Sequence, residues 1–217
     1  MQARIHVWDI VVRVFHWGTV GLFAALFVTG EGRDADIHAQ LGYALGTLLF
    51  IRVIWGFVGT HHARFRNFLA GPQETICYLK SLANGRPKHY TGHNPAGAAM
   101  VVALLLALTG LIVSGLFMEG GIEFEGPLSG LGTQLSDNQI HWVREIHESL
   151  VILTLGLISL HIAGVIVASL QHNENLVHAM ITGYKTEPRG DHHASQATVS
   201  EQPDEPDADW QRHARSR

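Results

Sequence analysis

Apolar runs of membrane length alternate with polar segments along this chain. Residues 94–118 carry no charge, and neither do residues 149–171. Residues 10–30 are apolar apart from Arg13 and His16, and residues 37–59 apart from His38 and Arg52. A helix needs about 20 mostly apolar residues to cross a bilayer. Four spans are therefore predicted, at residues 10–30, 37–59, 94–118 and 147–171. The fold class this implies is all-α, a membrane four-helix bundle over residues 1–185. The first run lacks the small-residue cleavage pattern of a signal peptide and is read as a retained span.

Caps support these limits. Asn94-Pro95 places a good N-cap before a proline at the first helical position, and Gly30 and Gly59 are fitting stops. In the 60–93 loop, a short amphipathic helix is expected from Pro72, with Ile76, Leu79 and Leu82 on one face. Residues 172–184 are expected along the membrane interface. Residues 186–217 are polar and rich in Asp, Glu, His and Pro, so a disordered tail is expected there. Trp8, Trp17, Trp55 and Trp142 lie near span ends and read as interfacial anchors.

Composition agrees. The chain is 47% hydrophobic and only 16% charged, against about 25% charged in a soluble domain. A net charge of −4 argues against nucleic-acid binding. The single cysteine, Cys77, excludes an intrachain disulfide, a CxxC zinc site and covalent CxxCH haem attachment. Of 15 Lys and Arg, only Arg33 and Arg144 fall beside the 31–36 and 119–148 segments, which are otherwise acidic. The positive-inside rule then puts both termini in the cytoplasm of a bacterial inner-membrane protein.

Ionisable residues inside spans are costly and point to function. His16, His38, His147 and His161 sit in or at the spans. His147 and His161 are 14 residues apart on one predicted helix. That is roughly 21 Å along the axis and, at about 100° per residue, nearly the same face. His16 matches the depth of His161, and His38 matches that of His147. Two pairs follow, His16 with His161 and His38 with His147. Each would suit a flat cofactor clamped between imidazoles within a bundle, where neutral imidazole favours iron. A membrane histidine can also simply hydrogen-bond a neighbouring helix. Two histidines per site fall short of the usual four ligands of zinc.

Arginines extend the constellation. Arg52 lies 14 residues after His38, at the depth of His16 and His161. Arg13 and Arg144 each precede a candidate ligand by three residues. A guanidinium suits a cofactor carboxylate, and snorkelling to the headgroups is the plainer reading. Gly18, Gly21, Gly42, Gly46, Gly156 and Gly164 thin the spans, either for helix packing or to make room for a porphyrin. His61, His62, His89, His93 and His141 are weaker candidates, and Met100 and Met118 read as packing.

The run Val12-Arg13-Val14-Phe15-His16-Trp17, the His38 span with Arg52, Gly92-His93-Asn94-Pro95, His147 with His161, and the closing stretch from Glu174 to Lys185 together resemble the bacterial cytochrome b561 family. Within it they are most similar to the cytochrome b subunits of membrane-bound nickel-iron hydrogenases. The resemblance covers roughly residues 5–185. It implies two b-type haems, with His16 and His161 on the cytoplasmic-side haem and His38 and His147 on the periplasmic-side one. It also implies electron transfer between a periplasmic redox partner (a hydrogenase or a c-type cytochrome) and quinone. Superoxide oxidation coupled to quinone reduction, or a scaffold subunit without haem, are the alternatives. The acidic far-side segments disfavour the first, because they repel an anion.

Overall fold

The computed structural model describes residues 4–30, 34–85, 90, 92–132 and 134–186. Arg33, His89 and the expected tail beyond Thr186 lie outside the described residues. The chain opens with β1 (Arg4–His6), then α1 (Ile10–Gly30) and α2 (Ala35–Val58). Short helices α3 (Phe65–Phe68) and α4 (Pro72–Ala83) precede α5 (Pro95–Met118), which runs on as a π-helical turn over Glu119–Glu123. Then come α6 (Ser129–Gly132), α7 (Asp137–His172), α8 (Leu176–Thr182) and β2 (Tyr184–Thr186).

Helices α1, α2, α5 and α7 are each long and apolar enough to cross a membrane. Their outer faces leave Val28, Phe50, Phe57, Leu106, Ile152 and Leu170 exposed. Helices satisfy their own backbone groups, so hydrocarbon can cover such a surface. Helix α1 packs along α2, α5 along α7, and α2 joins the two hairpins by packing on α5. Leu45 and Leu49 of α2 meet Leu108 and Leu111 of α5 at this centre. Neither α1 nor α2 packs closely along α7.

Two elements differ from expectation. Helix α7 begins at Asp137, well before His147, because Ser136 and Gln139 form a capping box. The Ser136 amide donates to Gln139 Oε1 at 2.9 Å, and the Gln139 amide donates to Ser136 Oγ at 3.4 Å. The other is a small antiparallel β1–β2 sheet, pairing Arg4 with Thr186 and His6 with Tyr184. Thr186 thus closes a strand instead of opening the tail. Helix α8 turns the chain back so that the Gly183 carbonyl accepts from the Val7 and Trp8 amides at 2.9 and 3.1 Å. The buried Lys185 ammonium pairs with Glu174 at 3.2 Å. This clasp ties both ends of the described chain together at what we call the terminal face.

Trp8 is buried there with Val7, Val12, Ala63 and Ala179, so it is a core residue and not an interfacial anchor. Helix α4 forms where expected, but its buried residue is Tyr78, while Ile76 and Leu79 are exposed.

Candidate functional site

The structure brings the four span histidines together as two facing pairs. Towards the terminal face, the rings of His16 on α1 and His161 on α7 have centroids 6.4 Å apart, with planes at 54°. Towards the opposite, far face, His38 on α2 and His147 on α7 stand 6.5 Å apart, at 70°. Both pairs bridge the line where α7 does not pack closely on α1 or α2. Among the described residues, no group of three or more His, Cys, Asp and Glu converges.

The far-side rings are held from behind by hydroxyls on neighbouring helices. His38 Nδ1 lies 3.2 Å from Thr29 Oγ1, and His147 Nδ1 lies 2.8 Å from Ser114 Oγ. Thr29 donates its own hydrogen to the Ala25 carbonyl at 2.9 Å, and Ser114 donates to Gly110 at 2.8 Å. A hydroxyl has one hydrogen. A ring hydrogen on Nδ1 finds an acceptor in each hydroxyl oxygen, with the Leu26 and Leu111 carbonyls also in reach of the rings, and leaves the Nε2 lone pair free.

The terminal-side pair is built differently. His16 Nδ1 is buried without a hydrogen-bond partner, and Trp17 meets the His16 ring edge-on at 5.0 Å. Arg52 is only 3% exposed. One of its nitrogens, Nη2, donates to the Ala63 carbonyl at 3.3 Å, while Nη1 is buried and unpartnered. Its guanidinium lies 5.0 Å over Phe65. Arg13 donates through Nη1 to the Ile181 carbonyl at 2.6 Å and keeps a buried, unpartnered Nε. Arg144 is exposed on the turn of α7 before His147.

Sequence reasoning missed Asp9 and ranked His93 only as a weaker candidate. Asp9 is buried, accepting from the Val12 amide at 3.0 Å, Trp55 Nε1 at 3.1 Å and Thr60 Oγ1 at 2.5 Å. Burial alone would raise its carboxyl, but the hydrogen bonds from Thr60, Val12 and Trp55 outweigh that and hold it below the ordinary value. His93 packs its ring against Trp8 and Phe68 at 4.7 and 4.6 Å. Burial, then the charges of Arg52 and Lys185, push it down to about 3, so it is neutral at physiological pH. The Asn94-Pro95 cap sets its place, with Asn94 Oδ1 accepting from the Gly97 amide at 2.7 Å. The His61 and His62 rings meet edge-on at 5.0 Å, and His141 is exposed beside Trp142.

The family described as prokaryotic cytochrome b561 matches residues 7–183, a stretch that includes all four histidines. The chain belongs to this family. The cytochrome is thus a multi-pass membrane protein of electron transfer, and haem b is its family's cofactor. It is 25% identical to a probable Ni/Fe-hydrogenase B-type cytochrome subunit of Rhodobacter capsulatus, over 85% of this chain and 82% of the relative. A protein of the same description from Azotobacter chroococcum is 31% identical over 55% of this cytochrome and 62% of its own length. Another, from Rhizobium leguminosarum, is 24% identical over 84% of the cytochrome and 89% of the relative.

Proposed function

We propose that this cytochrome carries electrons across the bacterial inner membrane between a periplasmic redox partner and the quinone pool. A hydrogenase is the first choice of partner, because the relatives above carry that description. A c-type cytochrome is the second. The terminal face is cytoplasmic in this reading, since nearly all Lys and Arg lie on that side.

In this reading His16 with His161 and His38 with His147 each hold one haem b. The ring separations carry it. The His16 and His161 rings, 6.4 Å apart, and the His38 and His147 rings, 6.5 Å apart, are each close enough that one metal ion between them would be within reach of both. Gly42 lies one turn beyond His38 and Gly164 nearly one turn beyond His161, and a Cβ at either would meet nothing within 4 Å. Arg52 Nη1 and Arg13 Nε are buried donors without acceptors, which a propionate would supply. Arg144 has only its place one turn from His147 to recommend it.

Haem b held by each pair would supply a one-electron couple, and two histidine ligands would suit it to electron carriage rather than substrate binding. The chain's part is to orient the rings, keep the surroundings apolar and place charge. At the terminal face, the buried and unpartnered Nδ1 of neutral His93 offers a polar contact for a quinone oxygen.

Haem stoichiometry by pyridine haemochrome tests the reading. Purified protein should hold two non-covalent haems, and His38→Ala and His161→Ala should each lose a different one. A colourless protein with full helicity would overturn it.

A further inference from the structure

The two histidine pairs differ in what stands behind them. At the far side, the Thr29 and Ser114 hydroxyls lie 3.2 and 2.8 Å from a ring Nδ1, where each can accept its hydrogen beside the Leu26 and Leu111 carbonyls. At the terminal side, His16 Nδ1 is buried and has no acceptor. An acceptor behind the ring draws its hydrogen away and makes the imidazole a more basic ligand. A more basic ligand favours the oxidised, more positively charged iron. Charge differs between the two sites as well. At the far side, Glu148 adjoins His147 in the chain and Arg144 lies one turn before it, so opposite charges flank that ligand. Arg52, buried and cationic, shares the neighbourhood of His93 with His161. A buried cation favours the state that has gained an electron.

We infer that Thr29 and Ser114 are positioning residues that lower the reduction potential of the far-side centre below that of the terminal-side centre. One electron then passes downhill from the far face to the terminal face, and no proton need move with it. The inference rests on the proposal that each histidine pair holds a haem. The direction it gives is that of a periplasmic donor feeding a cytoplasmic-side acceptor, and it comes from hydroxyls that no span or ligand pattern names.

Redox titration of the purified, full-length, haem-loaded protein, followed optically, reads both midpoints. The far-side component is the one missing from His147→Ala. It should be the lower of the two. Ser114→Ala and Thr29→Val should each raise it, by up to about tenfold in the one-electron equilibrium constant, or about 59 mV. The terminal-side midpoint should hold still, and Thr29→Ser, which keeps the hydroxyl, should restore the wild-type value. Far-side midpoints unchanged in both variants would overturn the inference. So would loss of that haem from both, which would make the hydroxyls binding posts and not tuners. A protein without haem would instead defeat the functional reading beneath it.

Discussion

Trp55 Nε1 on α2 donates to the Asp9 carboxylate at 3.1 Å, tying the terminal end of the second helix to the residue that caps the first. Thr60, just beyond α2, donates to the same oxygen. Asp9→Ala removes three hydrogen bonds at once and leaves buried donors unpaired. We expect a loss of about 2–4 kcal/mol, from bonds to a charged acceptor and the orphaned groups. Asp9→Asn should cost less. Denaturant titration in detergent measures both.

The same carboxyl sets a pH limit. Its folded value lies below the ordinary one, so its contribution is full above about 3.9, the unfolded value. It is lost as pH falls through the lower folded value. Asp9→Asn should therefore flatten the acid limb of the stability profile below about pH 4.

His93 acts in a higher window. It is held neutral down to about 3, while the unfolded chain takes up a proton near pH 6.5. Stability should fall as pH drops below about 6.5, with a slope approaching 1.4 kcal/mol per unit from this residue. His93→Phe keeps a ring against Trp8 and Phe68 and should remove that slope. Unfolding midpoints measured from pH 7 to pH 5 decide it.

Gly183 closes the β1–β2 clasp at φ +89°, and a Cβ there would sit 2.7 Å from the Trp8 carbonyl oxygen. Both the left-handed backbone and the backbone neighbour forbid a side chain. Gly183→Ala should cost about 1–3 kcal/mol. It should also open the segment after α7 to limited proteolysis, read by mass spectrometry.

If each histidine pair holds a haem as proposed, Arg52 should matter to one of them only. With its partial hydrogen bonding and unpartnered Nη1, Arg52→Gln should weaken retention of the terminal-side haem and spare the other. Haem content after detergent dilution, compared with His161→Ala, reads this directly.

Much of the arrangement was legible because it is local. Hydropathy marks where the spans run, and helical rise and rotation put His16 level with His161 and His38 level with His147. The start of α7 was also legible, since Ser136 and Gln139 spell a capping box three residues apart, but the apolar run drew attention to a later residue. Trp8 is not legible in this way, because an aromatic beside a span fits an anchor as well as a core. Ala63, the His93 ring and Ala179 of the returning α8 bury it.

The sequence by itself determined four apolar helices, the depth of each histidine and the charge asymmetry across the membrane. These follow from composition and from the fixed geometry of one helix at a time. Tertiary structure alone decided that Thr29 backs His38 and Ser114 backs His147, that Asp9 gathers Trp55 and Thr60, and that residues 4–6 pair with 184–186. Those contacts join residues distant in the chain or on different helices. They depend on how the helices are rotated against one another, which no single helix's periodicity fixes.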